Sequence, residues 1–345
     1  MKQQYLLIFL LLFQAVLFAQ NSPTRILATM PLIQSNPDAV IEGMGGLGVV
    51  LPGNLMGNHS RMNPALLHGP DDATSFQIHY YPQFSRVFSG FNQIEGNLNF
   101  SIRPRHRMSV ILGGFNTGIR SGFTVTCPLS RPLFTSALSG KVGIQYSWKI
   151  NDWLTAGVGF SALRSNFNWI CEDNNHVTHA LSGQWGLQFQ KPIYQSGLQQ
   201  LWLRAAVSQT GLGPSIDFFP IDTGMAVIGP INRAGVLLDW EKNEGVFSAL
   251  SLGYQISYIP GYTHVHSIGL QESFRFGEDM RFFLRQGLTY RERMDPGRNP
   301  TYQITTGIGF QAGFFRMDAS VLTPLIQDIG VRNRLRLSMT YSFGE

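Results

Sequence analysis

Charge is scarce in this chain of 345 residues: Asp, Glu, Lys and Arg together make up 14%, against about 25% in ordinary soluble domains. No Lys/Arg run accompanies the mild net charge of +5, so nucleic acid is excluded as a partner. Cysteine is nearly absent. Cys127 and Cys171 are too few for a disulfide scaffold, and the sequence leaves open whether they pair or never meet. Long apolar runs are also missing. Beyond the first twenty residues none approaches the about 20 residues that a spanning helix requires. What the chain does have is 37 glycines and a 12% share of aromatics, a composition suited to many short strands and poorly suited to a helical protein.

The start of the chain predicts an exported protein. Lys2 supplies a positive charge, Leu6 to Phe18 is almost wholly apolar, and Ala19-Gln20 offers a cleavage point, which together predict a secretory signal over residues 1–19. With no spanning helix to follow, membrane residence would require a closed sheet, the other structure that satisfies every backbone group in lipid.

The stretch Arg334 to Phe343 shows how such a sheet is written. Its odd positions, Leu335, Leu337, Met339, Tyr341 and Phe343, are apolar, and its even positions are charged or small hydroxyl residues. Successive strand side chains point to opposite faces, so one face would meet lipid and the other a polar lumen. Similar segments are predicted near 74–81, 94–103, 107–116, 140–150, 153–163, 180–191, 199–209, 233–241, 246–258, 264–276, 280–293, 301–312, 314–322 and 333–343. Short connections such as Asn151-Asp152 alternate with long ones at 117–139, 164–179, 210–232 and 292–300, the outer-membrane pattern. The expected fold is all-β, a transmembrane antiparallel β-barrel of about fourteen strands over residues 73–345.

Residues 20–72 do not alternate and are rich in Gly, Pro, Asn and Met, which predicts an irregular plug in the barrel mouth. Asn63-Pro64 would open a short helical turn, with Pro at its first position. Arg281, Arg285, Arg291 and Arg293 share one parity, opposite to Met280, Phe282, Leu284, Leu288 and Tyr290. An outward Arg at mid-membrane costs roughly 2–4 kcal/mol, so these arginines should face the lumen, as should Arg334 and Arg336. Their expected role is to neutralise acidic plug residues such as Asp38 and Glu42, the alternative being to attract an anionic group.

Other candidate sites are weak. Gly43-Met44-Gly45-Gly46-Leu47-Gly48 spells a dinucleotide-binding pattern, yet no strand precedes it and no helix follows, so glycines permitting tight passage of a plug are the better reading. His264 and His266 share a strand face with Ile268 and Leu270 and lack a third ligand. His176 and His179 lie near Glu172 and Asp173 without metal-site spacing. No nucleophile motif is present. Neither a cofactor nor a metal is expected, nor is catalysis.

Pro37-Asp38-Ala39, Gly43-Met44-Gly45-Gly46-Leu47-Gly48-Val49 and Asn63-Pro64-Ala65 resemble the mature N-terminus of PorV/PorQ proteins, within the wider FadL-like outer-membrane barrels. Met317-Asp318-Ala319-Ser320 and Asn333-Arg334-Leu335-Arg336-Leu337-Ser338 resemble the end of the same family. The resemblance departs at Val40, where the family has Arg, and at Arg334, where it has Thr. It implies a fourteen-stranded barrel with an N-terminal hatch in the outer membrane, serving the type IX protein secretion system. Its partners would be secreted cargo, whose C-terminal signal domain it binds, and other secretion-system membrane components, besides the lipid bilayer. The alternative within the same family is a FadL-type channel for hydrophobic solutes.

Overall fold

A computed structural model describes residues 38–53, 55, 59–68, 73–83, 88–119, 134–169, 175–213, 230–259, 263–293, 300–325 and 334–343. The predicted signal, Cys127, Cys171, Glu172 and Asp173 lie outside the described residues. Fourteen antiparallel strands close into one barrel. They are β1 Thr74–Gln83, β2 Phe88–Arg103, β3 His106–Ile119, β4 Phe134–Lys149, β5 Leu154–Trp169, β6 Asn175–Ser196 and β7 Gln199–Leu212. There follow β8 Ile231–Lys242, β9 Phe247–Ile259, β10 Thr263–Phe276, β11 Met280–Arg293, β12 Thr301–Ala312, β13 Phe315–Pro324 and β14 Arg334–Phe343. The ring is completed by β1 on β14, in register from Thr74 opposite Phe343 to Tyr80 opposite Leu337. No described helix is long and apolar enough to cross a membrane.

The alternation read from the sequence sets the two faces. Leu112, Leu138, Phe160 and Leu181 point outward and are at least 60% exposed. A continuous apolar belt of this kind is costly in water and natural in lipid. The inward positions reverse the usual rule: Gln77, Gln93, Asn99, Ser251 and Gln271 are buried. Aromatic pairs border the belt at both ends. Near the short turns, Trp153 packs on Phe189, Phe247 on Trp240 and Phe274, and Tyr341 on Phe343. Near the long loops, Tyr254, His266, Tyr290 and Tyr302 form a chain of ring contacts, with Tyr258 against His264 beside it. His264 and His266 thus stand in an outward aromatic girdle, and no group of three or more possible metal ligands occurs among the described residues.

Each predicted strand is present, but several run further toward the long loops. β2 begins at Phe88 rather than 94, β4 at Phe134 rather than 140, and β5 continues to Trp169 rather than 163. The added residues include Ser165, Asn166 and Asn168 on β5, paired with Thr178, Val177 and Asn175 on β6. Outside lipid both faces of a strand can be polar, so pairing continues where alternation has stopped.

Leu337 and Met339 face outward on the closing strand. Leu337→Arg and Met339→Arg should each cost roughly 2–4 kcal/mol at mid-membrane and block insertion. The check is heat-modifiable, membrane-inserted protein on gels, whose level should collapse in both variants and stay normal in Leu337→Ile.

Candidate functional site in the barrel lumen

The described residues from 38 to 68 lie inside the ring formed by the strands. The segment starts with one helical turn, α1 (Ala39–Gly43), capped by Asp38, whose Oδ1 accepts a hydrogen bond from Val40 N at 2.8 Å. It later makes a 3-10 turn, Pro64–Leu67, where Asn63 Oδ1 accepts from Ala65 N at 3.0 Å. Asn63 Nδ2 also donates to Val49 O at 2.9 Å, so the segment folds back on itself. A second clasp joins its ends, His59 Nδ1 against Asp38 Oδ2. Burial disfavours the Asp38 anion, yet His59 and His79 beside it and the Val40 amide hold its carboxyl far below the usual range.

Among the described residues, an apolar cluster lies here and draws mostly on the segment rather than the wall. Val40, Ile41, Met44, Leu47, Val49, Val50, Leu51, Leu55 and Leu66 cluster with Ala206 and Leu237, two inward wall residues. The segment therefore carries its own core into a polar lumen.

Bare backbone on the wall makes room for it. Gly157, Gly186, Gly235, Gly253, Gly269, Gly287 and Gly307 face inward on β5, β6, β8, β9, β10, β11 and β12. A side-chain carbon at Gly235 would lie 2.6 Å from Val49 Cγ1, and one at Gly253 2.8 Å from Leu47 Cδ1. At Gly157, Gly186, Gly269 and Gly287 it would overlap Pro64, Asn63, the Met44 carbonyl and Gly45. Gly45 and Gly46 have φ of 72° and 89°, which glycine adopts without a steric penalty. Thus the six-residue glycine pattern turns the chain over a glycine-lined wall, and α1 lies before it rather than after it.

Polar rungs fix the register of segment and wall. Ala39 N donates to Ser338 Oγ at 2.9 Å, Gly45 N to Thr305 Oγ1 at 3.0 Å, and Thr289 Oγ1 to Gly45 O at 2.8 Å. Val49 N donates to Gln255 Oε1 at 2.9 Å and Gly53 N to Asp239 Oδ2 at 2.8 Å. Ion pairs add to these: Glu42 meets Arg336 and Arg61 meets Glu95, with Lys141 3.7 Å from Glu95.

The predicted basic face divides into separate sites. Arg336 pairs with Glu42 and lies 4.4 Å above the Tyr81 ring, and Arg334 also borders Tyr81. Arg285 forms its ion pair within the wall. Its Nη1 is 2.9 Å from Asp318 Oδ1, two strands away, and it can cross β12 because Gly309 lies between them without a side chain. Arg316 holds the other Asp318 oxygen at 2.8 Å and stacks 4.2 Å over Phe283. Arg281 is near the short turns, opposite Arg275 and Gln311. Arg291 is half-buried on β11, and Asp38 pairs with His59. Sequence reading missed His59, His79, Glu95, Arg316 and Asp318. Parity marks Arg316 and Asp318 as inward, but their partner depends on which strands adjoin.

No family model matches the chain, and no curated relative does. Similar solved structures exist. CymD, a monoaromatic hydrocarbon channel, matches with a TM-score of 0.54 at 12% identity, over 89% of this chain and 97% of that one. The Pseudomonas putida toluene transporter TodX matches at 0.52 and 12%, over 88% and 97%. A Pseudomonas aeruginosa FadL homologue matches at 0.51 and 10%, over 90% and 99%. The fold is that of FadL-like barrels.

Because backbone fills the space at Gly287, Gly287→Val should unseat the inner segment at a cost of about 1–3 kcal/mol or more. Limited proteolysis should then cut within residues 38–68 while the barrel stays heat-modifiable. Gly277→Val, at a short turn open to solvent with φ of 75°, should leave the segment protected.

Proposed function

We propose that the chain is an outer-membrane channel of the FadL type that admits small hydrophobic solutes, with residues 38–68 as the plug that yields before a solute passes. The reading is carried by one observation, a correspondence of fold over about nine-tenths of this chain and nearly all of three channel or FadL-type barrels. The inner segment supports it physically. Leu51, Leu55 and Leu66 offer an apolar surface within a wall whose inward side chains are mostly amides, hydroxyls and ion pairs. A hydrocarbon crossing the lumen would lose little by exchanging lipid for that surface. No group in the site is assigned a catalytic task.

A second reading, cargo carriage in type IX secretion, rests on the resemblance to PorV/PorQ. One feature favours it: the segment bearing that resemblance is pinned at Glu42 and Arg61 by ion pairs and along its length by hydrogen bonds. A barrel acting as a docking body would need none of these undone.

A reversible tether separates the readings. Val49→Cys with Gly235→Cys, in a Cys127→Ser, Cys171→Ser background, places two thiols where Val49 now touches Gly235. In cells, whose lipopolysaccharide leaflet holds hydrocarbons back, the channel reading expects toluene entry to fall on oxidation and return on reduction. Entry that ignores the tether would remove the gating role of the segment, and no entry in either state would remove the channel. In cells, cargo that co-purifies with the barrel and is secreted normally with the tether closed would favour the second reading.

A further inference from the structure

A second set of glycines lies on the opposite side of the wall. Gly96, Gly114 and Gly140 point outward on β2, β3 and β4, with Gly114 directly paired to Gly140 and to Ile94. Among the described residues, nothing accounts for them sterically. A side-chain carbon at Gly96 or Gly114 would have no neighbour nearer than 3.8 Å, and one at Gly140 would meet nothing within 4 Å. None of the three has a positive φ. They differ in this from the inner glycines, where the segment already fills the space. Glycine within a strand weakens it and often marks a place where something external approaches the backbone.

Here the missing side chains leave a groove of about 650 Å³ on the lipid-facing wall, with Leu112 and Val142 among its apolar sides. Arg164 and His179 stand at one end, directly opposite each other across β5 and β6. On β5, Arg164 ends the outward apolar run. Outward positions on β5 run Ala156, Val158, Phe160 and Ala162 before Arg164, and the short turn lies at the other end of the strand. Long loops face the exterior in such barrels, so this end is at the outer leaflet. Arg164 is exposed, and among the described residues no carboxylate lines the groove. A guanidinium is fitted for bidentate binding of phosphate.

We infer that the groove seats an acyl chain of an anionic, phosphate-bearing lipid, with the chain lying over Gly96, Gly114 and Gly140 and the phosphate held by Arg164 beside His179. Lipid is the default neighbour of this face, and the charge at the groove's end selects a headgroup of opposite sign. The site is separate from the lumen and does not depend on what the barrel transports.

The test uses the full-length barrel in detergent, stripped of lipid and titrated by native mass spectrometry with dioleoyl phosphatidylglycerol, dioleoyl phosphatidylcholine or inorganic phosphate. One phosphatidylglycerol should bind per barrel ahead of phosphatidylcholine, and phosphate alone should neither bind nor compete. Gly140→Leu fills the floor without a clash, and Arg164→Gln removes the charge. Each should weaken phosphatidylglycerol binding roughly tenfold, the scale of one charge-assisted hydrogen bond. Should Gly140→Leu fail to insert, Arg164→Glu decides alone, since it leaves the apolar groove intact. Equal retention of both lipids by wild type and variants, or binding of phosphate by itself, overturns the proposal. So does a protein whose co-purification is lost in Gly140→Leu while lipid binding is not.

Discussion

A peptide group in hydrocarbon has no water to turn to, and an unpaired one costs several kcal/mol. The architecture follows from that constraint. Fourteen strands satisfy each other's backbones only if the first also pairs with the last, and the Thr74–Tyr80 register on β14 supplies that pairing. Once the ring is closed, strand geometry sends alternate residues to lipid and to lumen, and the composition divides accordingly. Low overall charge is then simply the result of giving half of each strand to an apolar solvent.

Closure creates a second demand. A ring of this size encloses a space that short polar side chains do not fill, and buried polar groups without partners are expensive. The inner segment answers both needs. Its apolar cluster occupies volume, and its amides supply partners for Ser338, Thr305, Gln255 and Asp239. Removing one member of a buried ion pair such as Glu42–Arg336 leaves the other desolvated. Both are side chains of low exposure, so segment and wall constrain each other strongly.

Much of the barrel is legible in the sequence because lipid imposes a period of two. Leu337, Met339 and Tyr341 announce their face by parity alone, and so do Arg285 and Arg336. The strand ends beyond the membrane are not legible, since Arg164, Asn166 and Asn168 continue the parity of Phe160 and Ala162 without its apolar character. The lumen is harder still. Arg285 forms its ion pair with Asp318 across Gly309. Such a contact depends on the order of strands around the ring, not on any spacing along the chain. The inner glycines likewise carry no periodic signal: Gly269 and Gly287 matter because Met44 and Gly45 press on them.

The hydrogen bond from Ala39 N to Ser338 Oγ ties together residues 299 positions apart. Translation delivers the amide well before the hydroxyl, and neighbouring Glu42 has to wait in the same way for Arg336. So residues 39 to 42 gain their final footing only when β14 arrives. Biogenesis therefore carries a built-in order, in which the interior is sealed by the very residues that complete the circumference.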